Sequence, residues 1–338
     1  MHAMVLEQCA PIETHPLQYR ELPEPVPGRG EVKVRVRCCA VCRTDLHVIE
    51  GDLPTSALPI IPGHQVVGVV EALGPGCTER RIGERVGIAW LHRTCGGCHF
   101  CRGGKENLCE QAVFTGYHVH GGYAEKIVAP EAFVYPLSPA VSDIEAAPLL
   151  CAGIIGYRAF KRCAPPVGGS LALVGFGSSA HLLIQLARYR GYRVFVVSHK
   201  MHHQDLARRL GAVWAGSRAE DMPEEVDAAI IFAPVGALVP PILARLRRGG
   251  TLALAGIHMS DIPSLRYAEH LYGERDIHPV TANTREDGRE WLAAAAEAGV
   301  RAETTQYPLA EANEALCDLK EGRFAGTAVL MVEEGEKA

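Results

Sequence analysis

The chain has 338 residues, of which 48% are hydrophobic and 22% charged, and its formal net charge is −5 at pH 7. This length suffices for two domains of ordinary size, and the composition is that of a globular protein. The negative charge argues against a nucleic-acid partner. Because no apolar run is long enough to span a membrane and the N-terminus lacks a signal-peptide pattern, we expect no membrane partner, a cytoplasmic location and reduced cysteines.

Residues 1 to about 150 are rich in short β-branched runs that Gly and Pro interrupt. This texture predicts an all-β lobe with long loops. The clearest runs are EVKVRVRCCAVC (31–42), HQVVGVVEALGPG (64–76) and GERVGIAW (83–90).

From about residue 168 apolar strands alternate with amphipathic helices, which predicts a doubly wound parallel sheet. The predicted strands are 170–176, 193–198, 226–233 and 250–256, with helices at 178–191 and 202–212. The rest of the chain is predicted to form a helix at 289–299, a strand near 304–307, a helix at 310–322 and a strand at 327–332. The class is therefore α/β, and we expect two lobes with a cleft between them.

Four cysteines with the spacing C-x2-C-x2-C-x7-C follow the β-rich runs: Cys95, Cys98, Cys101 and Cys109. This spacing lets one Zn²⁺ draw four thiolates into a tetrahedron with no open position, which predicts a structural site. Two disulfides or an iron–sulfur cluster are the alternatives. The spacing fits neither ferredoxin pattern, and no secretory segment points to an oxidising compartment.

Three separated residues form a second candidate metal site. Cys42, His64 and Cys151 would make a Cys2His set, which leaves zinc a fourth position for water or substrate. Each residue alone is equally explained as a buried thiol or as a hydrogen-bonded histidine. Spacing by itself leaves these interpretations open.

A glycine motif marks the candidate coenzyme site. Gly175, Gly177 and Ala180 form G-x-G-x-x-A directly after the apolar run SLALV and at the start of a predicted helix. In this context the glycines let the backbone approach a pyrophosphate, and the helix N-terminus supplies N–H donors. We therefore expect a dinucleotide coenzyme.

The end of the next strand bears on the choice between NAD(H) and NADP(H). Ser198, His199 and Lys200 stand where a ribose-binding carboxylate is expected, and no carboxylate occurs before Asp205. A hydroxyl beside two basic side chains favours a 2′-phosphate, hence NADP(H), with NAD(H) the alternative if His199 and Lys200 are merely solvated.

Several strings in the same order along the chain resemble the zinc-dependent alcohol dehydrogenases of the medium-chain dehydrogenase/reductase superfamily, in particular their bacterial tetrameric branch. The resemblance implies a GroES-like catalytic domain at 1–152, a Rossmann domain at 153–285 and a return to the catalytic domain at 286–338. It also implies a homo-oligomer, either tetramer or dimer. The strings are CRTDLH, GHQVVG, the cysteine quartet, GYHVHGGYAEKIVAP, PLLCAGIIGYRAF, LVGFGSSA and GRFAGTAVL.

The resemblance also implies roles for residues around the metal. Cys42, His64 and Cys151 become the ligands of a catalytic zinc, beside one structural zinc per chain. Asp45 is placed to accept the second N–H of His64 and so orient the ring. Gln65 stands where the family usually has Glu, which removes one negative charge beside the metal and makes it somewhat more electrophilic.

Further matches concern proton transfer, coenzyme and substrate. Thr44 and His47 resemble a relay that carries the alcohol proton to water. Arg43 matches a position that reaches the pyrophosphate. Trp90 and Leu91 match places that line the alcohol pocket, although Trp90 is equally explained as a core aromatic.

These expectations define an NAD(P)-dependent alcohol dehydrogenase for small or medium primary alcohols and aldehydes. A related zinc enzyme for polyols or aromatic alcohols is the alternative among enzymes. From a different class, the alternative is a non-catalytic nucleotide-binding redox sensor or a zinc-ribbon interaction protein.

Overall fold

The computed structural model describes residues 1–54 and 57–332, which form two compact units. The first unit comprises Met1–Cys151, Asn283–Leu292 and the chain from Ala302 onward; the second comprises Ala152–Ala282 and Ala293–Arg301. The sequence places its divisions after residues 152 and 285. Residues 333–338 of its last segment lie outside the described residues.

The strands and helices of the described residues are numbered here in chain order. The strands are β1 (His2–Leu6), β2 (Leu17–Glu21), β3 (Glu31–Ala40), β4 (Gln65–Leu73), β5 (Arg85–Ile88), β6 (Leu91–Arg93), β7 (Val113–Phe114), β8 (Lys126–Pro130), β9 (Val134–Pro136), β10 (Ser170–Val174), β11 (Arg193–Val197), β12 (Trp214–Gly216), β13 (Val226–Ile231), β14 (Leu246–Leu254), β15 (Asp276–Pro279), β16 (Thr304–Pro308) and β17 (Thr327–Met331). The helices are α1 (Arg43–Glu50), α2 (His99–Arg102), α3 (Asp143–Pro148), α4 (Ile154–Cys163), α5 (Ser178–Tyr189), α6 (Met201–Arg209), α7 (Val239–Leu243), α8 (Tyr267–His270), α9 (Arg285–Glu297) and α10 (Ala312–Glu321).

The first unit is organised around the long strand β3. Val32, Val34 and Val36 of β3 are fully buried, whereas Lys33 and Arg35 between them are only half-buried, which is the alternation of a strand with one face in the core. This strand pairs antiparallel with β4, β8 and β17. The sheet runs in the order β16-β17-β3-β4-β5-β9, and its core also receives Leu309, Ala312 and Leu316.

The second unit contains a parallel sheet in the order β12-β11-β10-β13-β14-β15. The central strand β10 is buried along its whole length, as a strand covered on both faces must be. The strand order reverses between β10 and β13, and ligands of such sheets bind at the carboxyl ends of the strands at this point. The predicted α/β class with a doubly wound sheet is confirmed. The short edge strand β12 and the edge strand β15 were not predicted.

Within residues 1–54 and 57–332, no helix combines the length and the apolar character needed to cross a membrane.

Candidate active site

Three separate segments of the first unit bring Cys42, His64 and Cys151 together. Cys42 caps the N-terminus of α1, His64 directly precedes β4, and Cys151 lies in a π-helical turn, Leu149–Gly153. Their ligand atoms all lie within 4.8 Å of one another. Single π-helical turns are rare and occur frequently at functional sites, so the position of Cys151 agrees with a ligand role.

Asp45 links two of these segments through its carboxylate, which is 1% exposed. Its Oδ1 lies 2.9 Å from Nδ1 of His64, and its Oδ2 accepts from the backbone N–H of Cys42 at 2.8 Å. The hydroxyl of Tyr123 donates to the same Oδ2 at 2.9 Å. The carboxylate thus fixes the His64 ring so that Nε2 faces the two thiols.

Tyr123 is a site residue that the sequence did not reveal. Its ring is fully buried and packs against Gly63, which has a φ of 95°. A Cβ at this glycine would lie 2.3 Å from the ring, so only glycine allows both the left-handed backbone and the packing. The sequence motif GHQVVG includes Gly63, but Tyr123 lies about sixty residues later, so no local pattern connects the two.

The pKa shifts in the Cys2His cluster indicate that its surroundings favour positive charge. Burial lowers the pKa of His64, but the Asp45 carboxylate and the Cys42 sulfur outweigh burial and raise it to about 10. The Cys151 thiol holds the pKa of Cys42 well below its usual range, and in return the pKa of Cys151 is raised. Because Nε2 of His64 has no hydrogen-bond partner among the described residues, a soft divalent cation such as Zn²⁺ fits the cluster.

The other residues predicted near the candidate metal site lie on α1 and at the start of β4. Gln65 is 1% exposed and pairs in register with Ala40 of the neighbouring strand. Thr44 is buried on α1, and its Oγ1 lies 3.6 Å from the Sγ of Cys42. His47, one turn further, has its Nδ1 2.8 Å from Oδ2 of Asp52, a partner that the sequence did not suggest.

Trp90 is 7% exposed and contacts His64 directly. The two ring centroids lie 4.9 Å apart at an interplanar angle of 70°. Phe114 and Tyr117 stack on Trp90 with centroid distances of 5.0 and 5.9 Å. Leu91, the other predicted pocket residue, is 2% exposed. The aromatic stack therefore fixes the plane of the Trp90 ring beside the candidate metal ligand.

The cysteine quartet forms a second compact cluster in the first unit. Three Sγ–Sγ distances are 3.5 Å (Cys95–Cys109), 3.5 Å (Cys98–Cys101) and 3.9 Å (Cys95–Cys101). Four thiolates around a zinc at about 2.3 Å would have sulfurs about 3.8 Å apart, whereas a disulfide needs about 2.05 Å. Hydrogen bonds from backbone N–H groups of Gly97 and Cys98 help to lower the pKa of Cys95 to about 6, which favours a thiolate.

An ion pair anchors the quartet's loop to the segment Asn283–Leu292 of the same unit. Glu106 lies in a 3-10 turn between the third and fourth cysteines. Its carboxylate accepts hydrogen bonds from the backbone N–H, Nε and Nη2 of Arg285. The Arg285 guanidinium also lies 4.4 Å from the ring centroid of Phe133. Burial opposes the charge of Glu106, but Arg285 outweighs it and lowers the pKa of Glu106.

In the second unit, the glycine motif lies between β10 and α5. Gly175 has a φ of 84°, and a Cβ there would lie 2.9 Å from the backbone nitrogen of Ala233. Gly177 caps α5 with open space around it, and Ala180 is fully buried. The strand, the turn and the helix N-terminus thus have the arrangement that binds a pyrophosphate.

The three residues predicted to choose the coenzyme follow β11. Ser198 is 6% exposed, whereas the side chain of His199 is exposed and that of Lys200 is half-buried. The Oγ of Ser198 lies 3.3 Å from Nδ1 of His203, a residue that the sequence did not single out. Arg43, the remaining predicted coenzyme contact, is exposed as the first residue of α1 in the other unit.

Comparison with known proteins places this geometry in a family. Residues 28–139 match the alcohol dehydrogenase GroES-like domain. A probable alcohol dehydrogenase of Mycobacterium tuberculosis is 48% identical over 98% of this chain and 97% of its own length.

Two solved structures share the whole fold. A cinnamyl alcohol dehydrogenase of Sorghum bicolor has a TM-score of 0.90 and 27% identity, with 100% of this chain and 99% of that chain covered. A cobalt- and zinc-bound thermostable alcohol dehydrogenase of Pyrobaculum aerophilum has a TM-score of 0.89 and 26% identity, with 98% and 99% covered.

The chain therefore belongs to the zinc-type alcohol dehydrogenases of the medium-chain dehydrogenase/reductase superfamily. It is an NAD(P)-dependent oxidoreductase, and the predicted combination of a GroES-like domain with a Rossmann domain is confirmed. The alternative class, a non-catalytic sensor or interaction protein, is accordingly set aside.

Proposed function

We propose that the enzyme interconverts small or medium primary alcohols and their aldehydes at a zinc held by Cys42, His64 and Cys151. The observation that carries the proposal is the Cys2His cluster of a buried histidine and two half-buried cysteines, whose ligand atoms converge within 4.8 Å while Asp45 orients His64. A Cys2His set leaves zinc one open position, as a catalytic site requires. The quartet Cys95, Cys98, Cys101 and Cys109 offers no such position and holds the structural zinc.

Bound zinc supplies Lewis-acid polarisation of the alcohol or carbonyl oxygen, and the nicotinamide accepts or donates the hydride. The protein's own residues manage the proton. The hydroxyl of Thr44, buried beside Cys42, receives the alcohol proton and passes its own outward. His47 is the terminal base, and its Nδ1 is paired to Asp52, which holds the ring in place.

The glycine motif of the second unit would hold the pyrophosphate of the coenzyme, and the resemblance to the family implies Arg43 as a further contact. We propose a preference for NADP(H), with NAD(H) the weaker coenzyme. The support is chemical: Ser198, His199 and Lys200 present a hydroxyl and two basic groups where a carboxylate would repel a 2′-phosphate.

Trp90 and Leu91 line the alcohol pocket in this proposal. A large ring edge-on to His64 narrows the space beside the zinc, which favours unbranched alcohols. Aromatic alcohols are the second candidate class, because one structural neighbour is named a cinnamyl alcohol dehydrogenase and the stack of Trp90, Phe114 and Tyr117 offers flat apolar surfaces.

A cytoplasmic location and a homo-oligomer, tetramer or dimer, complete the proposal. The location rests on chemistry, because both candidate zinc sites require thiolates and all twelve cysteines are free. The assembly rests on the resemblance to the bacterial tetrameric branch.

The test is a set of initial-rate measurements with ethanol, longer primary alcohols, benzylic alcohols and polyols, each with NADP⁺ and with NAD⁺. We expect the highest kcat/KM for an unbranched primary alcohol with NADP⁺. Faster turnover of benzylic alcohols would favour the second candidate, and faster turnover of polyols would overturn the substrate proposal. A higher kcat/KM with NAD⁺ would overturn the coenzyme preference alone.

A further inference from the structure

The hydroxyl of Ser198 is held in a fixed place at the end of β11. Its backbone N–H donates to the carbonyl of Gly216 at 2.9 Å, and its carbonyl accepts from Nε2 of Gln204 at 2.7 Å. The Gln204 side chain is itself buried and also donates to the Oγ of Ser217. The backbone of Ser198 is thus held on both sides, and its Oγ lies 3.3 Å from Nδ1 of His203 on the first turn of α6.

The hydrogen bond between Ser198 and His203 has two chemically different forms. A serine hydroxyl has one proton to donate and two lone pairs. When Nδ1 of His203 carries no proton, it accepts the Ser198 proton, and Oγ can then only accept from a ligand. When Nδ1 carries a proton, either in the other neutral tautomer or in the charged imidazolium, it donates to Oγ, and the Ser198 O–H can donate outward.

These two forms suit different coenzymes. The 2′-hydroxyl of NAD(H) can donate to an accepting Ser198. The 2′-phosphate of NADP(H) is a dianion near neutral pH and offers only acceptors, so it needs a donating Ser198. We propose that the Ser198–His203 pair selects the coenzyme by its proton: a bound 2′-phosphate favours the charged imidazolium of His203, whose Nδ1–H donates to Ser198 and whose charge attracts the dianion, so that binding takes up a proton. The inference rests on the proposed coenzyme site at the end of β11.

The surroundings of His203 set its state before the coenzyme binds. The ring is half-buried, and basic groups face it from three elements: His199 and Lys200 after β11, His202 on α6 with its ring 4.4 Å away, and His181 on α5. Burial first, and then these neighbours, lower the pKa of His203 to about 4. Asp205 of the same helix is paired with Arg208 at 2.9 Å. At neutral pH the free protein therefore has a neutral His203.

A bound dianion reverses this balance, because opposite charge within a few ångströms favours the protonated imidazole. The sign of the pH dependence follows. A ligand whose binding takes up a proton binds tightest at low pH and weakens as the pH rises, by at most about tenfold per pH unit for one proton. A ligand with a bare ribose diol takes up no proton at this site and keeps a constant affinity.

The experiment measures binding to the whole protein of two probes, adenosine 2′,5′-bisphosphate and adenosine 5′-monophosphate, which differ only in the 2′-phosphate. Titration calorimetry between pH 7 and 8.5 stays above the second phosphate pKa of about 6. At each pH two buffers of different ionisation enthalpy give the number of protons taken up. We expect the bisphosphate to bind with proton uptake and to weaken as the pH rises over this range, while the monophosphate does neither.

Three variants test whether His203 takes up the proton. In His203→Asn the side-chain amide can still donate to Ser198 but cannot titrate, so proton uptake and the pH dependence should disappear. His202→Asn removes one basic neighbour of His203 but no partner of Ser198, so this control on the adjacent exposed histidine should still show proton uptake and weaker binding at higher pH. His203→Gln provides a second non-titrating side chain, and circular dichroism checks that each variant is folded.

The outcomes separate this inference from the coenzyme proposal. If the bisphosphate binds no more tightly than the monophosphate at any pH, the NADP(H) preference fails and this inference fails with it. If the bisphosphate is preferred without proton uptake, or if His203→Asn keeps the wild-type pH dependence, the inference alone is overturned.

Discussion

Asp45 shows how one side chain can organise a metal site. Its two oxygens receive the Cys42 backbone N–H, the Tyr123 hydroxyl and the His64 ring, which come from three separate parts of the first unit. The same carboxylate caps helix α1 and fixes the orientation of His64. The geometry of the candidate metal site and the start of helix α1 therefore depend on the same buried hydrogen bonds. Groups that orient a metal-binding histidine in this way commonly affect metal affinity.

Thr44→Val should depress alcohol oxidation because it removes the hydroxyl that conducts the proton while keeping the shape of the side chain. We expect a fall in kcat of about 10²–10⁴-fold, with coenzyme affinity unchanged. His47→Gln should have a smaller effect, since water can replace the terminal base. Stopped-flow oxidation rates and coenzyme titrations measure the two effects, and an unchanged oxidation rate in Thr44→Val would remove the relay from the account.

Trp90→Ala should broaden the range of alcohols toward branched and aromatic ones. A pocket separates substrates that differ by one methylene by only about 1–3 kcal/mol, so the change in kcat/KM should be graded with substrate size. Truncation of a buried Trp also costs about 3–5 kcal/mol of stability, so Trp90→Phe serves as a milder second variant. Tyr117→Phe, which keeps the stacked ring, should leave the selectivity unaltered. An unchanged profile in both Trp90 variants would make Trp90 a core residue only.

At the scale of the secondary-structure elements, an ion pair stabilises the loop of the cysteine quartet in addition to the proposed zinc. Its 3-10 turn carries Glu106, and the first residue of α9 is the Arg285 that pairs with it. The two side chains are 10% and 31% exposed, so solvent screens this pair less than a surface ion pair. The loop is thus tied to a segment that lies far away in sequence.

Glu106→Gln should lower the free energy of unfolding by about 1–3 kcal/mol, because it weakens charged hydrogen bonds to Arg285. The pKa of Glu106 is lower in the folded protein than its unfolded value of about 4.3, so its contribution is fully present above the unfolded value and is lost as the pH falls through the lower folded value. Denaturant unfolding of both proteins at pH 7 and at several pH values below 4 measures the difference. Glu110→Gln, an exposed carboxylate of the same loop, is the matched control. A difference that persists undiminished well below pH 4 would contradict this role of the ion pair.

Short-range patterns account for what the sequence predicts well. The cysteine quartet, the glycine motif and the position of Asp45 three residues after Cys42 are local spacings, and the regular alternation after residue 168 predicts the parallel sheet. The partners that complete each site are distant in sequence. Tyr123 contacts Asp45, and Arg285 contacts Glu106, only because the folded first unit brings distant segments together. His203 lies close to Ser198 in sequence, but no sequence pattern predicts that its ring turns toward the Ser198 hydroxyl.

At the scale of the whole molecule, the two units divide the work of an oxidoreductase. The first unit contains both cysteine-containing clusters, and the second contains the glycine motif and the pair Ser198–His203. The two clusters differ in the number of candidate ligands, three in one and four in the other. Loss of one metal should therefore have a different consequence from loss of the other.

The central claim is that the chain binds two zinc ions, one for catalysis and one for stability, and metal analysis of the purified protein combined with turnover and unfolding tests it most directly. We predict two Zn²⁺ per chain in the wild type. Cys42→Ser should lose one zinc and all turnover with little loss of stability, whereas Cys109→Ser should lose the other zinc and destabilise the fold, since structural zinc binding contributes to folding free energy. One zinc per wild-type chain, or full turnover in Cys42→Ser after its zinc is lost, would contradict the account.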